Sequence, residues 1–249
     1  MGHGLEGLRC GLRDGTGSAT EPYTTSGASA YPGRGFRCCQ TGPVTDGMDL
    51  DRPLGIEGFD EAYSGVPPWE IGRPQPALAE LVDGGTLAGR VLDVGCGTGE
   101  LTLLAASRGL DATGVDSSPR AIAIARRKAA DRGAGRVRFE VGDALDLGFL
   151  GGGFDAVLDS GVFHVFDDAD RARFVESIRR VLVPGGRYHL LVFSDAEPGV
   201  WGPRRVRRDE LEAALSGGWE LESVEPATFE VTILDRTVHA WRATAVRRD

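Results

Sequence analysis

The chain predicts an α/β fold: a mainly parallel sheet with helices on both faces. Three observations carry that expectation. Short apolar runs that read as strands alternate with longer amphipathic runs that read as helices. The first strand, Val91–Val94, opens directly into a glycine-dense turn, Gly95-Cys96-Gly97-Thr98-Gly99. An acid, Asp116, then ends the second strand, 21 positions beyond Gly95.

The elements follow in order. Residues 59–63 (Phe-Asp-Glu-Ala-Tyr) read as a short helix, and residues 74–82 as a helix whose first turn tolerates proline. Val91–Val94 is the first strand, residues 99–109 a helix, and Ala112–Asp116 the second strand. Pro119–Arg132 is an amphipathic helix with proline at its start, and Val137–Val141 is the third strand. Phe154–Asp159 is the fourth strand, ending in polar residues where strand ends line the crevice of an open α/β sheet. Asp170–Leu182 is a helix that Pro184-Gly185-Gly186 stops, and Arg187–Phe193 is the fifth strand. Arg208–Leu215 is a helix. Trp219–Val224 and Val238–Thr244 form a terminal pair, joined through an apolar connection, Phe229–Leu234, for which an extended conformation is the alternative to a loop. Alternation of this kind requires crossover connections and so a parallel sheet.

In 249 residues there is room for one sizeable domain with appendages. Residues 1–50 are rich in Gly, Ser and Thr and hold no run able to bury an apolar face, so they read as a mostly disordered tail. Residues 51–88 read as a lid with helices and 89–249 as the core. Leu5, Leu8, Cys10 and Leu12 are too interrupted by glycine for a signal peptide, and no run of eighteen apolar residues occurs, so a cytoplasmic location is expected. A net charge of −9 disfavours a nucleic-acid partner. The basic clusters at Arg126-Arg127-Lys128 and Arg204–Arg208 carry no interleaved aromatics for base stacking. Cysteines at 10, 38, 39 and 96 have neither disulfide-scaffold nor zinc-site form.

A strand, a glycine turn and a helix, with an acid at the end of the next strand, point to a nucleoside ligand held at a helix N-terminus with its ribose diol on the acid. Spacing and charge narrow the choice. A dinucleotide site prefers Gly-x-Gly-x-x-Gly around a pyrophosphate, whereas here Glu100 occupies the slot of the last glycine and would repel phosphate. The Walker pattern is absent. Asp93 and Glu100 flanking the turn suit a cationic ligand such as the ammonium and sulfonium of S-adenosylmethionine. A plainer reading, a glycine turn needed only for close helix packing, stands beside this one.

The string Asp93-Val94-Gly95-Cys96-Gly97-Thr98-Gly99 resembles the first motif of the class I methyltransferase family. That resemblance spans roughly residues 56–245 and implies a Rossmann-like, seven-stranded sheet whose last strand is antiparallel, with S-adenosyl-L-methionine as cofactor. The glycines would wrap the amino-acid end of the cofactor. Asp116, with Ser117 beside it, would accept the ribose hydroxyls; capping the helix that begins at Ser118 or Pro119 is the local alternative. Asp143 in Gly142-Asp143-Ala144 resembles the family acid that meets the adenine amino group, with Ala144 leaving room for the ring; as a lone Gly-Asp it also reads as a turn. Asp159, Ser160 and Gly161 resemble the segment that lines the cofactor methionine with backbone.

Pro67-Pro68-Trp69-Glu70-Ile71-Gly72-Arg73-Pro74-Gln75-Pro76 is stiff and aromatic, so ordering it over a ligand costs little entropy. It is similar to segments of bacterial small-molecule methyltransferases related to the thiopurine and halide/thiol types, which implies that Tyr63, Trp69 and Ile71 form a lid. Arg73 would pair with the cofactor carboxylate or with a lid acid. Phe193, Trp201 and the 194–205 loop would form an aromatic wall. Arg204 and Arg205 would either take an anionic substituent or stay solvated.

His164, in the predicted crevice, is the candidate general base for a hydroxyl acceptor, since imidazole titrates near pH ~6.5; tying its loop to a neighbouring helix is the alternative. His189 reads as a packing residue within the fifth strand. No metal-binding cluster is evident, although Asp155, Asp159 and Asp168 leave that question open. The expected activity is methyl transfer from S-adenosylmethionine to a small, aromatic acceptor, at a hydroxyl oxygen in the first instance, with nitrogen or sulfur as alternatives. Two other readings stay open: a non-catalytic cofactor-fold scaffold, and a dehydrogenase, which the glycine spacing disfavours.

Overall fold

The computed structural model describes residues 56–249. The tail read across residues 1–50 lies outside the described residues. In chain order the elements are α1 Ile56–Ala62, α2 Pro76–Asp83, β1 Arg90–Val94, α3 Glu100–Ser107, β2 Asp111–Asp116, α4 Pro119–Asp131 and β3 Val137–Val141. Then come β4 Phe154–Ser160, α5 Asp168–Val181, β5 Leu182–Phe193, α6 Arg208–Ala214, β6 Trp219–Phe229 and β7 Val238–Arg247. Single turns of 3-10 helix at Leu147–Leu150 and Phe163–Val165 flank β4.

One seven-stranded sheet runs in the order β3-β2-β1-β4-β5-β7-β6. Strands β1 to β5 pair in parallel, and β7 runs antiparallel between β5 and β6. The expected α/β architecture, seven strands with an antiparallel last strand, is therefore present. Central strands such as β1 are buried along almost their whole length because helices cover both faces. On one face Val94, Val157 and Tyr188 pack with Phe174 and Ile178 of α5. On the other, Val91, Leu158 and Leu191 pack with Leu78 of α2 and Leu101 of α3. Each such fully buried side chain contributes about 1.5–3 kcal/mol. No described helix is long and apolar enough to cross a membrane.

Two elements differ from expectation. β5 starts at Leu182, directly after α5, and not at Arg187. Phe154 pairs with Leu182 and Ala156 with Arg187, so Pro184, Gly185 and Gly186 sit in a bulge where proline's missing N–H costs no ladder bond. β6 continues unbroken past Val224 to Phe229, because it is an edge strand and tolerates Pro226.

Strand order reverses between β1 and β4: β2 and β3 lie to one side, β4 and β5 to the other. A crevice opens beyond the carboxyl ends of the strands at such a switch point, and the turns after β1, β2 and β4 face it.

Candidate functional site

Gly95, Gly97 and Gly99 all have left-handed backbones, at φ +64°, +52° and +86°, which a side chain would strain. They face different neighbours. A Cβ on Gly95 would collide with Val162, and one on Gly97 would lie 2.7 Å from the Tyr63 hydroxyl. Both therefore let the β4 loop and the lid approach the turn closely. A Cβ on Gly99 would meet Phe139 at 2.7 Å and Ala125 at 2.9 Å, so the packing explanation accounts for that glycine. The Cys96 N–H donates to Val115 O at 3.0 Å, tying the turn to β2, while the Cys96 side chain is buried.

Asp116 ends β2 beneath this turn. Its carboxylate accepts the Gly97 N–H at 2.8 Å and the Ser118 N–H at 2.9 Å. Ser118, not Asp116, caps α4, accepting the Ala121 N–H at 3.0 Å. Burial holds the Asp116 carboxyl above its usual range, with the two N–H groups pulling the other way. Each oxygen keeps a lone pair beyond its single N–H partner, so the acid still has acceptor capacity for a diol. Ser117 beside it is half-buried.

The charges flanking the turn are not disposed as the sequence suggested. Glu100 is ion-paired with Lys128 of α4 and with Arg132 at its C-cap, both at 2.8 Å, and despite burial those two cations hold its carboxyl low. Asp93 is buried and accepts the Thr102 hydroxyl at 2.6 Å, and burial pushes its pKa up to about 7. Neither acid offers a free negative charge to a cationic ligand. Glu70, beside the turn, accepts the Thr98 hydroxyl and the Gly72 N–H.

The segment before α2 closes over the glycine turn. The Trp69 indole N–H donates to the Tyr63 hydroxyl at 3.0 Å, and Phe59 packs edge-on against Trp69 with centroids 5.7 Å apart. Tyr63 is buried, and burial with the nearby Asp116 carboxylate holds its phenol well above the usual range. Ile71 is half-buried. Asp60 of α1 accepts the Ser118 hydroxyl at 2.7 Å and pairs with Arg120 at 2.8 Å. The other end is fastened beyond β6: Gln75 and Glu230 exchange side-chain–backbone bonds of 2.9 and 2.8 Å, and the Thr232 N–H donates to Pro68 O at 2.8 Å. Arg73 is paired with Glu230 and so is not held for a cofactor carboxylate.

At the end of β4 the Asp159 carboxylate turns inward. It accepts the Tyr188 hydroxyl and the Val162 N–H at 2.6 Å and the Phe163 N–H at 3.1 Å; burial raises its pKa to about 6. Its side chain braces the turn after β4. Gly161 has φ +90°, and a Cβ there would lie 3.0 Å from His164 Nε2 and 3.2 Å from the Phe229 ring.

His164 does not have the properties of a general base. Its Nδ1 accepts the Phe193 backbone N–H at 3.0 Å, which leaves the neutral ring with its proton on Nε2. Burial, followed by Arg171 and Arg205, pushes its pKa down to about 3. A ring whose only lone pair is occupied cannot take a proton from an acceptor. Around it Phe193 and Phe229 pack at centroid distances of 5.0 and 6.1 Å, and Trp201 packs on Phe193 at 5.5 Å. Arg205 lies over Trp201 and Phe193, 5.1 and 5.4 Å from their centroids. Arg204 is engaged by Asp168 and Glu210, so it is not free for an anionic substituent. Asp143 is exposed and accepts the Leu145 N–H at 2.9 Å, the turn arrangement that was its local alternative. Ala144 packs half-buried against the core.

Asp60, Glu70, Phe229 and Glu230 are the residues that sequence reasoning missed. Glu70 lies inside the lid string, where nothing in its neighbours' residue types marks it out. Phe229 and Glu230 lie in a stretch that reads as a connection, and only the sheet order brings Phe229 to His164 and Glu230 to the lid.

Residues 91–186 match the model of a methyltransferase domain. The 2-heptyl-1-hydroxyquinolin-4(1H)-one methyltransferase of Mycobacteroides abscessus is 38% identical over 179 residues, 68% of this chain and 79% of that protein. The demethylmenaquinone methyltransferase of Thermus thermophilus is 44% identical over 115 residues, 45% of this chain and 51% of that one. A solved structure from work on the conversion of a disulfide bond into a thioacetal group during echinomycin biosynthesis superposes with a TM-score of 0.71 at 37% identity, covering 78% of this chain and 93% of that one. With the glycine turn, Asp116 and the lid in place, these likenesses establish that the chain belongs to the class I S-adenosylmethionine-dependent methyltransferases that act on small molecules.

Proposed function

We propose that the acceptor is a planar heteroaromatic molecule and that the methyl group goes to a hydroxyl oxygen acidic enough to ionise without a protein base. One observation carries this reading: the ionisable groups around the crevice are already committed. His164 Nδ1 is occupied, Asp159 and Asp93 are bonded inward, and Glu70 is bonded to Thr98 and Gly72. The acceptor must therefore arrive as an anion or become one by losing its proton to water.

S-adenosylmethionine, when bound, supplies a methyl group on a positively charged sulfur; the acceptor's lone pair bonds to that carbon as the carbon–sulfur bond breaks and its electrons remain on sulfur. The residues here fit this cofactor: Asp116 keeps acceptor capacity, and the glycine turn lets Val162 and Tyr63 approach its backbone closely. Backbone groups of the glycine turn and of Ser160-Gly161 would hold its amino-acid end, and Asp116 its ribose. Tyr63 and Trp69 close over the turn and exclude water. The rings of Phe193, Phe229 and Trp201 offer flat apolar surface for aligning a planar acceptor, and alignment supplies most of the rate in a direct displacement.

Likeness to a methyltransferase of a hydroxyquinolone supports oxygen. A sulfur acceptor is the second reading, supported by the structural likeness to the echinomycin protein; a thiolate likewise needs no base at neutral pH. The test is turnover against matched N-hydroxy heterocycles, phenols, thiols and amines, read as methylated product and S-adenosylhomocysteine. Turnover of acidic hydroxyls first is expected. Turnover confined to amines or carbon acceptors would overturn the proposal.

A further inference from the structure

We propose that His164 is a hydrogen-bond donor to the acceptor's oxyanion, its imidazole locked by the Phe193 N–H in the tautomer that carries the proton on Nε2. The inference rests on the hydroxyl reading above for its substrate, but the tautomer itself does not.

Geometry leads to it. The ring is held edge-on by Phe193 and tilted against Phe229, and Nδ1 is fixed by a 3.0 Å bond from main chain that cannot rotate away. Nε2 has no hydrogen-bond partner among the described residues. It sits over the Cα of Gly161, where a Cβ would come within 3.0 Å, at the carboxyl end of β4 beside the crevice. Held in this tautomer, the Nε2–H is a donor available to an acceptor atom that arrives with the ligand. Gly161 is what keeps the approach to that N–H clear.

The surroundings hold the ring neutral. From α5, Arg171 donates its Nε–H to Phe163 O at 3.2 Å and stacks over the Phe163 ring. From the loop after β5, Arg205 covers Phe193. β5 and β6 present only the uncharged Phe193 and Phe229, and β4's own Asp159 faces Tyr188 and the turn amides. Two cations and no free carboxylate thus face the imidazole, and burial adds to their effect. A second N–H proton, on Nδ1, is disfavoured on this ring.

The chemical consequence differs from base catalysis. The acceptor O–H breaks, its proton goes to water, and the remaining oxyanion receives the Nε2–H. A bond to the ionised form and not to the neutral one lowers the acceptor's pKa in the complex by about 1–2 units. Charge on that oxygen falls as the new bond forms, so the donor acts mainly by enriching and orienting the reactive ion.

Nitrogen-15 NMR of the histidine side chains in the full chain tests the tautomer without any turnover. The imidazole signals lost in His164→Gln should show a proton on Nε2 and no titration between about pH 5 and 8; a proton on Nδ1, or titration near 6.5, would overturn the proposal. The second arm measures kcat/KM against pH with a phenolic acceptor that ionises above neutrality. Wild type should rise with an apparent pKa below that of the free acceptor. His164→Phe should move it up by about 1–2 units, and His164→Gln, which keeps an N–H near the Nε2 position, should restore most of the shift. Equal loss in both variants with an unshifted profile would overturn it. If no hydroxyl compound turns over while the NMR result holds, the substrate reading fails and the tautomer does not.

Discussion

Asp60 accepts the Ser118 hydroxyl at 2.7 Å, so the helix at the start of the lid is fastened to the N-cap of α4, two residues after Asp116. The lid and Asp116 thus meet at one loop. Asp60→Ala removes this bond and the ion pair with Arg120, and is expected to release S-adenosylmethionine severalfold faster while leaving the melting temperature nearly unchanged. Stopped-flow displacement of the cofactor checks this; an unchanged dissociation rate would mean that the α1 contact plays no part in closure.

Asp116→Ala is expected to weaken S-adenosylmethionine by ~1–3 kcal/mol, through loss of charge-assisted bonds to the ligand and of the acceptor for the Gly97 N–H. Calorimetry reads the dissociation constant. An unaltered value would remove Asp116 from the cofactor site.

Gly97→Ala places a methyl group against the Tyr63 hydroxyl and forces alanine into a left-handed backbone, a strain of about 1–3 kcal/mol. Cofactor affinity should fall and the lid should loosen, seen as faster proteolysis between residues 63 and 75. Tyr63→Phe in the same chain relieves the collision but not the backbone strain, so it should restore the lid more than the affinity.

Stability against pH reports on four buried groups that oppose one another in pairs. Asp93 and Asp159 have pKa values raised to about 7 and about 6. The folded chain therefore binds their protons more tightly, and their contribution is full below about pH 4 and lost as pH rises through those values. His189 and His164 are lowered to about 4 and about 3; their contribution is present above about 6.5 and lost as pH falls toward those values. Asp93→Asn keeps an acceptor for the Thr102 hydroxyl and removes the proton linkage. Its stability relative to wild type should rise by about 2–3 kcal/mol between about pH 5 and pH 8, measured by urea unfolding. A constant difference across that range would contradict a raised Asp93.

Much of this arrangement was readable in the chain, for local reasons. Val91–Gly99 joins an apolar strand to a glycine turn with no intervening residue, and Asp116 closes the next apolar run, so neighbouring residues alone place both at the same end of the sheet. Pro67–Pro76 announces a stiff aromatic loop by composition. The strand count and the antiparallel β7 came from the family resemblance. What was not readable depends on partners distant in sequence. Gln75 and Glu230 are 155 positions apart, and Glu100 meets Lys128 and Arg132 only because α3 and α4 pack side by side. Residue type leaves His164 between a base and a loop tie, because the Phe193 N–H that fixes its tautomer belongs to the neighbouring strand and has no sequence signature.

A series of ring-substituted hydroxyl acceptors with graded pKa values, assayed across pH with the wild-type protein, tests the central claim that the acceptor ionises without a protein base. The limb on the acid side should follow each acceptor's own pKa from compound to compound, displaced downward by a constant amount. An acid limb fixed near pH ~6.5 for every acceptor, and abolished in His164→Gln, would show a titrating histidine at work and contradict the account.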